Sequence, residues 1–169
     1  MNTLSEPALS LAGFALAHAA WSISDLDDGD HLCPLAVVEQ PDGSRRMMRF
    51  EADTQEKAII AGKTAMRGAT GVAAAWAFAR EGAWGKLGGE TPADVLAVDF
   101  WGNGMPAAAT LMQPFYRVTS GGRFRIGSAP SLLVGENLLS TDSASGSIET
   151  IMAGVHSHAM VATLWQSWR

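Results

Sequence analysis

The chain has 169 residues, 47% of them hydrophobic and only 17% charged, with a formal net charge of −5 at pH 7. This length predicts a single domain over residues 1–169 that buries a core without a metal or a disulfide. The negative charge argues against nucleic acid as a partner, because phosphate binding needs a basic surface. The low charged fraction indicates either surface buried in an oligomer or an alanine- and glycine-rich bias.

The N-terminal part predicts a buried helix that runs to about Ser22, because Ser5 followed by Pro7 is a helix-start signal. Residues 8–20 are apolar enough to resemble a secretory signal, but Glu6 precedes them where such a signal needs Lys or Arg. No apolar run reaches the ~20 residues of a membrane span, so no membrane partner is expected. The single Cys33 forms no internal disulfide, which predicts a cytoplasmic location.

Residues 34–39 and 45–51 are predicted to pair as a hairpin around a Pro-Asp-Gly-Ser loop. A second helix is expected from Asp53–Glu56 to about Gly68. The strand after it, residues 71–81, is apolar on both sides, whereas a half-exposed strand has a polar side. Its two alternating sets are Val72, Ala74, Trp76 and Phe78, and Ala73, Ala75, Ala77 and Ala79. Both faces of the sheet therefore need a cover of helices, a second subunit or a ligand.

Further strands are predicted at residues 93–101 and 107–118, around a tight turn at 102–104, and at 123–126 and 131–134. The last helix is expected from an N-cap at Ser147 to about Gln166. The fold class is therefore α+β, with a mostly antiparallel sheet of five to seven strands and the order α-β-β-α-β-β-β-(β)-α. This order resembles that of the profilin-like and roadblock-like sandwiches, and the resemblance implies a binding or dimerisation scaffold.

Aromatic side chains give the strongest functional signal. If three helices cover one side of the sheet, the opposite aromatic side is left open as an interface or groove. The alternative is a rolled sheet with the helices split between its sides. The binding residues predicted for the open face are Trp76, Phe78, Trp101 and Phe115.

A weaker anion-binding site is predicted from two basic strands. Arg45 and Arg49 share a face of one strand, and Arg123 and Arg125 share a face of the other, so the four side chains could bind an anion if the strands lie close together. The alternative is that each pair lies on a separate solvated strand edge.

Motifs for chemistry are weak throughout the sequence. The acidic run Asp25, Asp27, Asp28 and Asp30 fails the spacing of a calcium loop. His31 and Cys33 are too few ligands for zinc and too far apart on a strand for a catalytic dyad. The glycine clusters at 85–89, 102–104 and 121–122 match no phosphate-binding loop. We therefore predict no catalytic residue, no metal and no cofactor.

Two functions from different classes remain open. The first is a non-catalytic binding protein that forms a homodimer or docks a protein partner through the aromatic face. The second is a small enzyme or ligand-binding protein with an apolar pocket, whose polar groups would be Asp99, Tyr116, His18 and His156. A third and weaker hypothesis is an accessory protein that responds to anions through the arginine pairs.

Overall fold

The computed structural model describes residues 4–27, 29–85, 93–117, 123–127 and 129–169. Within these residues the predicted α+β class is confirmed. The helices are α1 (Glu6–Ser24), α2 (Gln55–Ala69), α3 (Thr141–His156) and α4 (Leu164–Ser167). The strands are β1 (Leu35–Glu39), β2 (Arg45–Arg49), β3 (Ala75–Trp84), β4 (Ala93–Gly102), β5 (Ala109–Tyr116), β6 (Arg125–Ile126), β7 (Ser131–Val134) and β8 (Asn137–Leu138). None of the described helices is both long and apolar enough to cross a membrane.

The strands form an antiparallel sheet in the order β2-β1-β3-β4-β5-β7-β8, and β6 pairs with β5. Residues opposite each other in neighbouring strands project to the same side, so the register defines two faces. The α1 face carries Ala75, Ala77 and Ala79 of β3. The α2 face carries Trp76 and Phe78 of the same strand.

Helix α1 lies on the α1 face and is buried along most of its length. It begins where the side chain of Ser5 accepts the N–H of Ala8. Its small residues allow a close approach to α3, which packs across it. A Cβ at Gly13 would overlap the carbonyl oxygen of Ile151, and one at Gly154 would overlap that of Ser10. The two helix backbones are therefore in direct contact at this crossing.

Helix α2 packs on the opposite side of the sheet. Thr54 caps it by accepting the N–H of Lys57 at 3.2 Å. Gly62 faces the ring of Phe78 so closely that a Cβ would overlap the ring. The ring of Phe50 meets the same Phe78 edge-on, with 5.8 Å between the ring centres. Helix α2 thus covers the part of the aromatic side that β1 and β3 contribute.

The structure corrects two expectations. The helices do not cover one face together, because α1 and α3 lie on one side of the sheet and α2 lies on the other. The single C-terminal helix predicted from Ser147 is also wrong. Its N-cap is Ser140, which accepts the N–H of Ser143, and α3 ends at His156, after which a turned segment leads to α4.

Candidate binding cleft

A cleft of about 340 Å³ opens on the α2 face, at the small end of the range of ligand pockets. One side is the helix α2, which contributes Lys63, Met66 and Arg67. The opposite wall is the segment 106–108, between β4 and β5. The floor is the sheet itself, so the cleft lies where α2 stops covering β3 and β4.

The floor of the cleft is aromatic. Trp76 of β3 lies directly opposite Trp101 of β4, and Phe78 lies two residues further along β3 on the same face. Each indole N–H has an internal acceptor at 2.9 Å, which is the hydroxyl oxygen of Thr70 for Trp76 and the carbonyl oxygen of Met105 for Trp101. Because both donors are already bonded, the floor has only apolar ring surface left to offer.

Asp99 is the carboxylate of the cleft, and both of its oxygens are bonded within the sheet. Arg80 of β3 forms an ion pair with Oδ2 at 2.7 Å, and the hydroxyl of Thr110 on β5 donates to Oδ1 at 2.7 Å. The side chains of both ion-pair partners are 16% exposed. The three residues form a bridge across β3, β4 and β5 in which the charge of Asp99 is neutralised.

The rim of the cleft is basic. Lys63 and Arg67 are exposed on α2 and lie one helical turn apart, so they project on the same side of the helix. Arg67 donates to the hydroxyl of Thr64 at 3.2 Å. Among the described residues, no carboxylate lies within ion-pairing distance of either cation. The cleft therefore has a positive rim in a chain whose net charge is −5.

A second polar cluster lies on the α1 face, where His18 of α1 meets His158 in the turn after α3. Nδ1 of His18 is 3.0 Å from Nε2 of His158. Nε2 of His18 is 3.3 Å from a guanidinium nitrogen of Arg49 on β2. The rings of Phe14 and Trp21 pack against His158, with 5.0 and 5.8 Å between ring centres.

These contacts determine the tautomers of the neutral pair. Arginine only donates, so Nε2 of His18 is an acceptor and Nδ1 of His18 carries the proton. That proton is donated to Nε2 of His158, which leaves the proton of His158 on Nδ1. Nδ1 of His158 is buried and has no hydrogen-bond partner in the described part of the chain. The chain of hydrogen bonds that starts at Arg49 and passes through His18 therefore ends at the unsatisfied Nδ1–H of His158.

Both histidines are held in the neutral form. Burial, the charge of His158 and the charge of Arg49 lower the pKa of His18 from 6.5 to about 4. Burial is also the main reason that the pKa of His158 is lowered. A proton on this pair would be placed in a poorly solvated position close to an arginine.

The predicted aromatic binding residues are not all brought together. Trp76, Phe78 and Trp101 share the α2 face, but Phe115 lies on the α1 face, where it pairs with Ile126 and packs against Phe124. The exposed fractions are 6% for Trp76, 0% for Phe78 and 7% for Trp101. The expectation of an open aromatic face is therefore not met, because α2 and the cleft walls cover these rings.

The two arginine pairs lie on strands that are not neighbours. Arg45 and Arg49 share the α1 face of β2, at one edge of the sheet, as predicted. Arg45 binds Glu39 at 3.1 Å, and Arg49 contacts His18. Arg125 lies on β6, beside β5, and stacks on Tyr116 at 4.9 Å, while Arg123 precedes that strand. Strands β1, β3, β4 and β5 separate the two pairs in the sheet.

The polar groups expected for an enzyme pocket are also dispersed. Asp99 and Tyr116 belong to the α2 face, and Tyr116 is 53% exposed. His18 is on the opposite side of the sheet, and His156 is exposed at the end of α3. His158 was not predicted as the partner of His18, because the sequence pattern favours a continuous helix through residue 158. No local pattern could have revealed a contact 140 residues apart in the chain.

Two of the remaining motif residues, His31 and Cys33, have internal partners. Nδ1 of His31 contacts Glu81 at 2.9 Å, and Arg117 binds the same carboxylate at 2.6 Å. The thiol of Cys33 lies 3.5 Å from the carbonyl oxygen of Phe50. The described residues contain no group of three potential metal ligands. Asp28 and most residues of the clusters at 85–89 and 121–122 lie outside the described residues.

No protein-family model matches the chain, and no curated protein or solved structure is significantly similar to it.

Proposed function

We propose that this protein is a non-catalytic binding protein that holds a small apolar ligand in the cleft between α2 and the sheet. The observation that carries this proposal is the floor of the cleft. Trp76 and Trp101 present ring surface there while their N–H groups are bonded elsewhere. A preformed apolar floor with few polar groups is typical of small-molecule sites.

The proposal retains the binding role expected from the aromatic residues but changes the kind of ligand. Trp76 and Trp101 expose only small areas at the base of a cleft, which a large flat partner cannot enter. A compact molecule entering between α2 and segment 106–108 would contact the same rings. Self-association through another surface stays a prediction, which light scattering across a dilution series tests.

The state of the cleft carboxylate supports binding rather than catalysis. A general base needs an oxygen oriented towards the proton that it removes. Both oxygens of Asp99 are bonded, to Arg80 and Thr110. The paired histidines lie across the sheet from the cleft and are not available to a molecule bound there.

The test uses a neutral planar probe, 2-naphthamide, and isothermal titration calorimetry on the intact chain. We expect binding with a Kd of about 1 mM or tighter, from a ligand efficiency of about −0.3 kcal/mol per atom. The probe is also expected to raise the melting temperature as its concentration rises.

Two matched variants locate the binding. Ala108→Trp adds a large side chain to the exposed wall of the cleft and is expected to abolish binding. Ala153→Trp makes the same change at an exposed position of α3, beyond the opposite face, and is expected to leave binding unchanged. Equal binding to both variants, or no binding of any naphthalene probe to the original protein, would refute the cleft as the site.

A further inference from the structure

We infer that the ligand of the cleft is a planar apolar molecule carrying one anionic group, with the ring held on the floor and the anion at Lys63 and Arg67. This inference rests on the proposed function, because it specifies the ligand class of the same site. It follows from the distribution of polarity between the floor and the rim.

The floor selects against polar groups. A polar atom pushed onto Trp76 and Trp101 would lose its water and find no free donor, because both indole N–H groups already have acceptors. Both oxygens of Asp99 already accept hydrogen bonds, from Arg80 and Thr110, and an ionised carboxylate has no proton to donate. The buried part of the ligand is therefore apolar.

The floor also favours a flat shape. Trp76 and Trp101 are directly opposite in the register of β3 and β4. Aromatic rings gain energy beyond area burial when they stack offset or meet edge to face. The volume of about 340 Å³ is sufficient for one small ring system.

The two cations on the rim of the cleft favour an anionic ligand. Lys63 and Arg67 both line the cleft, and within the described residues neither has a carboxylate partner. The one acidic group of the lining, Asp99, is neutralised by Arg80. An anion at the mouth of the cleft would thus meet two cations at its edge, whereas a cation would be repelled.

Three probes with the same ring system separate charge from shape: 2-naphthoate, 2-naphthamide and 2-naphthylmethylammonium. In 25 mM salt we expect the anion to bind about tenfold more tightly than the neutral probe and the cation to bind more weakly than both. In 500 mM salt the advantage of the anion is expected to shrink to about twofold, since exposed charges are screened. Calorimetric Kd values give each ratio directly.

The double variant Lys63→Gln with Arg67→Gln tests the assignment to the rim. It is expected to bind 2-naphthamide as the original protein does, which shows an intact cleft, and to lose the preference for 2-naphthoate. Lys57→Gln is the matched control on the same helix, because Lys57 pairs with Asp53 and does not line the cleft.

The inference is overturned if the original protein binds the neutral probe as tightly as the anion, or if the preference survives in the double variant. Either result leaves the binding function standing. Failure of all three probes refutes the proposed function as well, so the two failures are distinguishable.

Discussion

The two faces of the sheet are both apolar but are covered in opposite ways. On the α1 face, two helices cross with their backbones in contact, and the space between them is closed at Gly13 and Gly154. On the α2 face, one helix covers part of the sheet, and a cleft of about 340 Å³ stays open beside it. The buried polar groups differ as well: within the described part of the chain Nδ1 of His158 has no hydrogen-bond partner, whereas both oxygens of Asp99 at the cleft are bonded.

This contrast assigns stability mainly to the α1 face and ligand binding to the α2 face. The α1 face has no room for added atoms at the helix crossing, so changes there are expected to alter folding. The α2 face has unfilled volume and two rim cations for which the described residues supply no carboxylate, so changes there are expected to alter ligand affinity more than folding. The four predictions that follow test this division, from the largest expected effect to the smallest.

The largest effect is expected at the helix crossing. Gly154→Ala places a methyl group against the carbonyl oxygen of Ser10 and is expected to lower the free energy of unfolding by about 3 kcal/mol. Gly146→Ala, on the same helix, is the control: nothing lies within 4 Å of the added atom, so a gain of about 0.5–1 kcal/mol is expected. Urea denaturation measures both. Equal effects of the two variants would mean that α1 and α3 are not in contact.

The histidine pair on the α1 face predicts acid destabilisation. The folded pKa of His18, about 4, is below the ordinary 6.5, so the unfolded chain takes up the proton first as the pH falls. Stability is therefore complete above pH 6.5 and is lost towards pH 4. After allowance for partial exposure, the loss from this group is about 2 kcal/mol.

Urea denaturation between pH 7 and pH 4 measures the loss. His18→Gln is expected to flatten the pH dependence, whereas His156→Gln, at an exposed position, is expected to keep it. An unchanged slope in the His18→Gln variant would contradict this origin of the acid sensitivity.

The third prediction concerns the carboxylate of Asp99, which either stabilises the fold or contacts the ligand. Asp99→Asn removes the ion pair with Arg80 and is expected to cost about 1–2 kcal/mol of stability, because both side chains are largely buried. The affinity for 2-naphthoate is expected to stay the same or to rise, since a negative charge leaves the cleft. A large loss of affinity at unchanged stability would instead show that Asp99 contacts the ligand.

The smallest effect distinguishes two N-caps of the last long helix. Ser140→Ala removes the acceptor of the Ser143 N–H and is expected to cost about 1 kcal/mol. Ser147→Ala changes a residue inside the helix and is expected to have almost no effect. Thermal melts of the two variants are sufficient, and the reverse order would restore the cap position predicted from the sequence.

Local patterns predicted the element types because those patterns depend on neighbouring residues. The capping signal at Ser5, the hairpin around Asp42 and the two-sided apolar strand at Trp76 all act within a few residues. The prediction that Phe115 shares a face with Trp76 was wrong, because successive side chains of a strand point to opposite faces of the sheet. The choice between Phe115 and Tyr116 depends on the register with β4, which local sequence did not determine.

The cleft could not be predicted from the sequence, because its position depends on where α2 packs on the sheet. That position is set by contacts such as Gly62 on the ring of Phe78, which join elements that the sequence alone cannot orient. The end of α3 was missed for a related reason. His158 leaves the helical path where it meets His18, so a tertiary contact accompanies the end of a helix that periodicity alone would have continued.

The contact between α1 and α3 has a consequence during protein synthesis. The two helices are separated by about 120 residues of chain, yet α1 needs α3 to cover it. At the usual 5–20 residues per second, the ribosome takes roughly 6 to 25 s to make the connecting segment. For that time the side of α1 that α3 covers in the folded protein stays uncovered on the nascent chain, although the strands that cover its other side are made earlier.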